Sequence, residues 1–283
     1  MKFRTEIEPV RTDIAISHSD EIVMLGSCFT DSIGDLLARD GFSVTANPMS
    51  ALYNPDSIRT VISKAMRGYE FDIDGLETDD EGIFHCLYFD SRHQGPDPHA
   101  LLDSVNHDFA ELGRRLRHAN TWIITLGTAW VFEFDEGYTV GNCHKFPADR
   151  FTRVLLTVET AERLIRDIVA LAGPRRVIFT VSPIRHLADG LHGNTISKST
   201  LQLALFKNRL NYFPAFEILN DDLRDYRFYA DDLRHPSAMA VQYIYEKFAD
   251  TYFSAETRRK AQDACREALR RAHRPIIKPT QTK

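Results

Sequence analysis

Two stretches of the chain carry residue types and spacings that make covalent chemistry possible. Gly26-Ser27-Cys28-Phe29 directly follows the apolar run Ile22–Leu25, and Asp232-Leu233-Arg234-His235-Pro236 lies near the far end. A serine hydroxyl is protonated at neutral pH and attacks a carbonyl only when a base takes its proton. In a turn, the D-x-x-H spacing lets the Asp232 carboxylate reach Nδ1 of His235, leaving Nε2 free to accept that proton. Between a strand end and a helix start, Ser27 would have backbone N–H groups and the helix dipole beside a developing oxyanion. The pattern predicts Ser27 as nucleophile, His235 as general base and then acid, and Asp232 as the group that orients the imidazole. Taken singly, Ser27 also reads as an ordinary helix cap and D-x-x-H as a charged surface loop. Cys28 is a rival nucleophile, because a thiol at a helix N-terminus can be acidified. Neighbouring helical side chains diverge by about 100°, so one imidazole cannot serve both, and Cys28 is expected to pack inside.

Such residues must be brought together by a scaffold. Short apolar runs alternating with helical periodicity indicate a parallel sheet with crossover helices. Strands are expected at 22–25, 42–45, 122–126, 177–181 and 216–219, with helices after Ser27, from Asn54, and at about 99–117, 160–171, 197–209 and 237–253. Ligands of such sheets bind beyond the carboxyl ends of the strands, where Ser27 and the pair Arg185-His186 fall. Arg185 and His186 are candidates for holding a substrate carboxylate or phosphate. The aspartates, glycines and prolines of 70–98 suggest an insertion, a hairpin or lid, within one domain spanning 1–254. From Glu256 to Lys283 there are nine Lys/Arg against three Asp/Glu, and apolar positions recur every three to four residues. A basic helical extension over 255–283 follows, ending in a loose segment from Pro275.

Further motifs point to a family. Gly26-Ser27-Cys28-Phe29-Thr30 is similar to the signature of the GSCFA domain family, with threonine at the usual alanine, and Ser27 with Asp232-x-x-His235-Pro236 resembles the SGNH/GDSL-like hydrolases. Asn47 to Pro55, Thr125 to Trp130, Asn142 to Lys145, Val181 to His186 and Asp225 to Asp232 resemble the GSCFA family too. The resemblance implies an α/β, three-layer, flavodoxin-like (SGNH-hydrolase-like) sheet of five parallel strands in the order 2-1-3-4-5. It also implies an oxyanion hole built from the Ser27 N–H, a backbone N–H near Ser50, and an asparagine after the third strand. Ala129 stands where that asparagine is expected. Asn142 and His144 are the nearest replacements, provided Val131–Phe134 and Tyr138–Val140 form a hairpin that returns them to the site.

The sequence therefore predicts a serine-dependent ester hydrolase or acyltransferase acting on a small-molecule or carbohydrate ester. The alternative is a non-catalytic ligand-binding domain on the same scaffold; a weaker third reading is an adaptor whose basic tail meets an acidic partner. Of 283 residues, 43% are hydrophobic and 27% charged, with a net charge of −5, the composition of a folded domain rather than a disordered chain or coiled coil. No apolar run approaches the ~20 residues that span a bilayer, and the start lacks the apolar core of a secretory signal. Four scattered cysteines form no C-x-x-C pair, so a reducing, cytoplasmic setting is expected. Adjacent Cys143-His144 and His85-Cys86 do not have metal-ligand spacing. With no phosphate-binding glycine motif, no metal, cofactor, nucleic acid or membrane is expected as a partner.

Overall fold

Strand β1 (Glu21–Gly26) buries Ile22, Val23, Met24 and Leu25, because both faces of its sheet are covered. The computed structural model describes residues 4–272 except 9, 11 and 136. After β1 come α1 (Phe29–Arg39), β2 (Ser43–Ala46), α2 (Pro55–Met66), the two-residue strands β3 (Glu77–Thr78), β4 (Phe84–His85) and β5 (Gln94–Gly95), and α3 (Pro98–His118). Next are β6 (Thr121–Leu126), β7 (Trp130–Phe134), β8 (Thr139–Val140), β9 (Phe151–Leu155), α4 (Val158–Ala172), β10 (Arg176–Val181) and α5 (Gly190–Asn208). The last described elements are β11 (Tyr212–Phe213), the short α6 (Ala215–Glu217), α7 (Ala238–Tyr252) and α8 (Ala255–Ala272).

Five strands form one parallel sheet in the order β2-β1-β6-β10-β11, which is 2-1-3-4-5 when these strands are counted along the chain. Side chains alternate across a strand, and the core divides accordingly. Val23, Leu25, Trp122, Ile124, Phe179 and Val181 pack on one face with α2, α3, α4 and α5. Ile22, Met24, Ile123 and Ile178 pack on the other with α1 and α7. Helix α8 closes the second face through buried Ala261. The segment from Pro275 lies outside the described residues. No helix among the described residues is long and apolar enough to cross a membrane.

The fifth strand differs from expectation. It occupies Tyr212–Phe213, and the apolar run Phe216–Leu219 instead continues α6 into a π-helical turn over Ile218–Leu223. A short apolar run reads equally as buried strand or buried helix. Pro214 decides it here by ending the strand and capping the helical segment, with its carbonyl accepting from Ile218 N at 2.9 Å. The 70–98 segment carries a small antiparallel sheet, β3-β4-β5. A second one, β8-β7-β9, includes the expected hairpin with Phe132 opposite Val140. Strand β9, which the sequence did not suggest, brings Arg153 beside Phe132.

Candidate active site

At the carboxyl end of β1 the backbone turns sharply into α1. Gly26 has φ +151°, and a Cβ there would come 2.2 Å from the Thr125 carbonyl oxygen, so only glycine fits. Asn47, itself at φ +39°, locks this elbow from the end of β2. Its Oδ1 accepts from Gly26 N at 2.9 Å, and its Nδ2 donates to Ser27 O at 3.3 Å and to Asp31 Oδ1 at 3.0 Å.

The elbow turns Ser27 inward. Ser27 is 1% exposed, its N–H is spent on the Thr125 carbonyl at 3.2 Å, and its Oγ is buried without a hydrogen-bond partner. The serine is thus placed neither against His235 nor with a free N–H for an oxyanion. Cys28 takes the N-cap position of α1, and its Sγ lies 3.5 Å from His235 Nε2. Of the two adjacent candidates, the structure sets the thiol against the imidazole. The expected inward packing belongs to Ser27, because Ser27 still completes the sheet ladder while Cys28 begins the helix.

His235 is held by its own turn. Asp232 Oδ1 accepts from the N–H groups of Arg234 at 2.9 Å and His235 at 3.0 Å, and Oδ2 meets His235 Nδ1 at 2.5 Å. These bonds, the His235 backbone N–H foremost, hold the Asp232 carboxyl well below the ordinary carboxylate range. Leu233 takes φ +56° to close the turn, and Ala230 N donates to His235 O at 2.8 Å. Burial raises the Cys28 thiol above its usual pKa and Asp31 adds to the effect, whereas the Cys28 and Phe29 N–H groups and the Tyr53 hydroxyl oppose it. The resting sulfur is therefore a thiol that needs a base.

Cys28 and His235 open onto a cavity of about 500 Å3 shared with Tyr53, Thr128, Trp130, Asn142, Arg153, Arg185 and His186. Asn142 thus reaches the site, as the hairpin predicted. His144 does not: its Nδ1 lies 3.0 Å from His85 Nδ1 and its Nε2 2.8 Å from Phe89 O, along a separate cavity beside Asp79 and Arg150. The β4 strand captures it before it can return to β6. Ser50 is buried and does not line the cavity. Ala129 is fully buried, its N–H donating to Ser197 Oγ at 2.7 Å. Burial first, then the charges of Lys198, Arg153 and His235, push His186 down to about 4, so it is neutral near pH 7. Sequence reasoning did not single out Tyr53 and Trp130, although both lie within the family-like stretches 47–55 and 125–130, and it missed Arg153, which no motif marks, and Lys198 beneath the floor. Burial pushes Lys198 down to about 7, and its Nζ donates to Gly127 O at 2.5 Å and Ser182 O at 2.8 Å, just past the ends of β6 and β10.

The GSCFA family profile matches residues 21–248, from the first residue of β1 into α7. The chain belongs to the GSCFA family. A comparison with curated proteins finds no match to this GSCFA protein. Among solved structures, it is similar to the psychrotrophic esterase EstA from Pseudoalteromonas sp. inhibited by monoethylphosphonate, at 12% identity, over 82% of this chain and 96% of that one, with a TM-score of 0.35.

Proposed function

We propose that this GSCFA protein is an ester or thioester hydrolase, or acyltransferase, in which Cys28 is the nucleophile, His235 the base and Asp232 the orienting carboxylate. The contact between Cys28 Sγ and His235 Nε2 carries the reading. Asp232 accepts the Nδ1 proton of His235, which leaves the Nε2 lone pair directed at the thiol. As the thiol proton passes to Nε2, the sulfur adds to the substrate carbonyl carbon. The oxyanion then lies near the Cys28 and Phe29 N–H groups at the open N-terminus of α1, where the helix dipole favours negative charge. Collapse breaks the ester C–O bond, and His235 returns the proton to the leaving alcohol. Water, deprotonated by His235, attacks the thioester; the acid departs and the sulfur regains its proton. Another alcohol in place of water gives acyl transfer.

The test is hydrolysis of a short-chain nitrophenyl ester by Cys28→Ala and Ser27→Ala, alongside iodoacetamide labelling read by peptide mass. Cys28→Ala should lose turnover and label, while Ser27→Ala keeps both. Turnover that survives Cys28→Ala and vanishes with Ser27→Ala would return the nucleophile to the serine.

A further inference from the structure

The cavity in front of Cys28 is lined by Arg153, Arg185 and Arg234, and among the described residues no carboxylate lines it. In a chain of net charge −5, this is a local concentration of positive charge at a site mouth, which attracts anions. Among the described residues, neither Arg185 nor Arg234 has a carboxylate within ion-pair distance, and Arg153 meets one, Asp189 Oδ2, at 2.5 Å. Rings brace two of the three guanidinium groups. Arg185 lies 3.9 Å from the Tyr229 centroid and 5.2 Å from that of Tyr226, and Arg153 lies 4.8 Å from Phe132 and 5.2 Å from Trp130. Such stacking fixes the planar group of Arg185 while leaving its edge available for bidentate contact; Arg153 spends its Nη2 on Asp189 and keeps its remaining N–H groups.

A cavity of about 500 Å3 suits a small molecule rather than a polymer.

We propose that the substrate is a small ester or thioester bearing an anionic group, a carboxylate or a phosphate, which Arg185 and Arg153 hold while the reacting carbonyl lies at Cys28. The assignment rests on the thiol-hydrolase reading and supplies its substrate class. Arg185 and Arg153 are then specificity residues, remote from the bond that breaks.

The experiment compares kcat/KM for three esters: a neutral butanoate, a hemisuccinate with its carboxylate on the acyl side, and an ester of a phosphorylated alcohol. The two anionic arms distinguish carboxylate from phosphate as the recognised group. At least one anionic ester should exceed the neutral one, and Arg185→Gln or Arg153→Gln should lower that ratio by roughly 10- to 100-fold, the value of a charge-assisted hydrogen bond. Arg153→Lys, which keeps the charge, should retain more of the ratio than Arg153→Gln. Preference for the neutral ester, or a ratio that both glutamine variants leave unmoved, overturns the inference. Alkylation of Cys28 by iodoacetate relative to iodoacetamide reads the same attraction without turnover. If no ester is hydrolysed but iodoacetate is favoured and Arg185→Gln removes the preference, the hydrolase reading fails while the anion site stands.

Discussion

The Asp232 carboxylate grips His235 twice, at the backbone N–H from one oxygen and at Nδ1, 2.5 Å away, from the other. One residue therefore sets both the course of the turn and the tautomer of the ring that faces Cys28. Asp232→Asn should keep the turn, since its amide oxygen can still accept from the backbone, but it can present its NH2 to Nδ1 and favour the wrong tautomer. Ester turnover should fall steeply, with thermal unfolding nearly unchanged. His235→Ala should lower kcat by roughly 10²–10⁴; a rate within twofold of wild type in both variants would exclude the dyad.

The Asn47 bridge to Gly26, Ser27 and Asp31 makes it a positioning residue for the elbow. Asn47→Ala leaves the buried Gly26 N–H without its acceptor and should destabilise the fold by about 1–3 kcal/mol in urea titration. Because Cys28 then loses its fixed orientation, kcat should fall more than KM rises. Equal stability of the variant and the parent would show that water replaces the side chain at no cost.

His186 gives the protein an acid-sensitive contribution. Its folded-state pKa, pushed down to about 4 chiefly by burial, lies below the ordinary value near 6.5. Below that ordinary value the unfolded chain binds the proton more readily, so stability falls as pH drops from about 6.5 to about 4 and then levels. The loss amounts to a few kcal/mol at most. Denaturant midpoints measured across this window should slope in the parent and flatten in His186→Asn.

Lys198 has the same sign of linkage in an alkaline window. Its folded value is about 7 against an ordinary value near 10.4, so the unfolded chain holds more protons between them and stability rises with pH through that range. Lys198→Met should remove the rise and leave the Gly127 and Ser182 carbonyls without their donor. A lower midpoint at pH 9 with a flat profile from pH 7 to 10 is the expected result; a profile parallel to the parent's would place the titration elsewhere.

Much of this protein was legible in the order of its residues. Alternating apolar runs and helical periods gave four of the five parallel strands and their crossover helices, because strand and helix periods are local properties; the fifth was misplaced onto the helical run after Pro214. The Asp232–His235 pair was equally legible, since its bonds close within one turn. Which of Ser27 and Cys28 meets that histidine was not. Two adjacent side chains differ only in the rotation of the elbow that carries them, and Asn47 and Thr125, distant in sequence, fix that rotation. For the same reason β9 could deliver Arg153 to the cavity, and His85 could draw His144 away from it, with no local motif to announce either. The sequence alone determined the scaffold and the Asp232–His235 turn; tertiary packing set the Cys28 sulfur against that histidine and assembled the cationic wall, because both depend on contacts between segments that only the folded chain brings together.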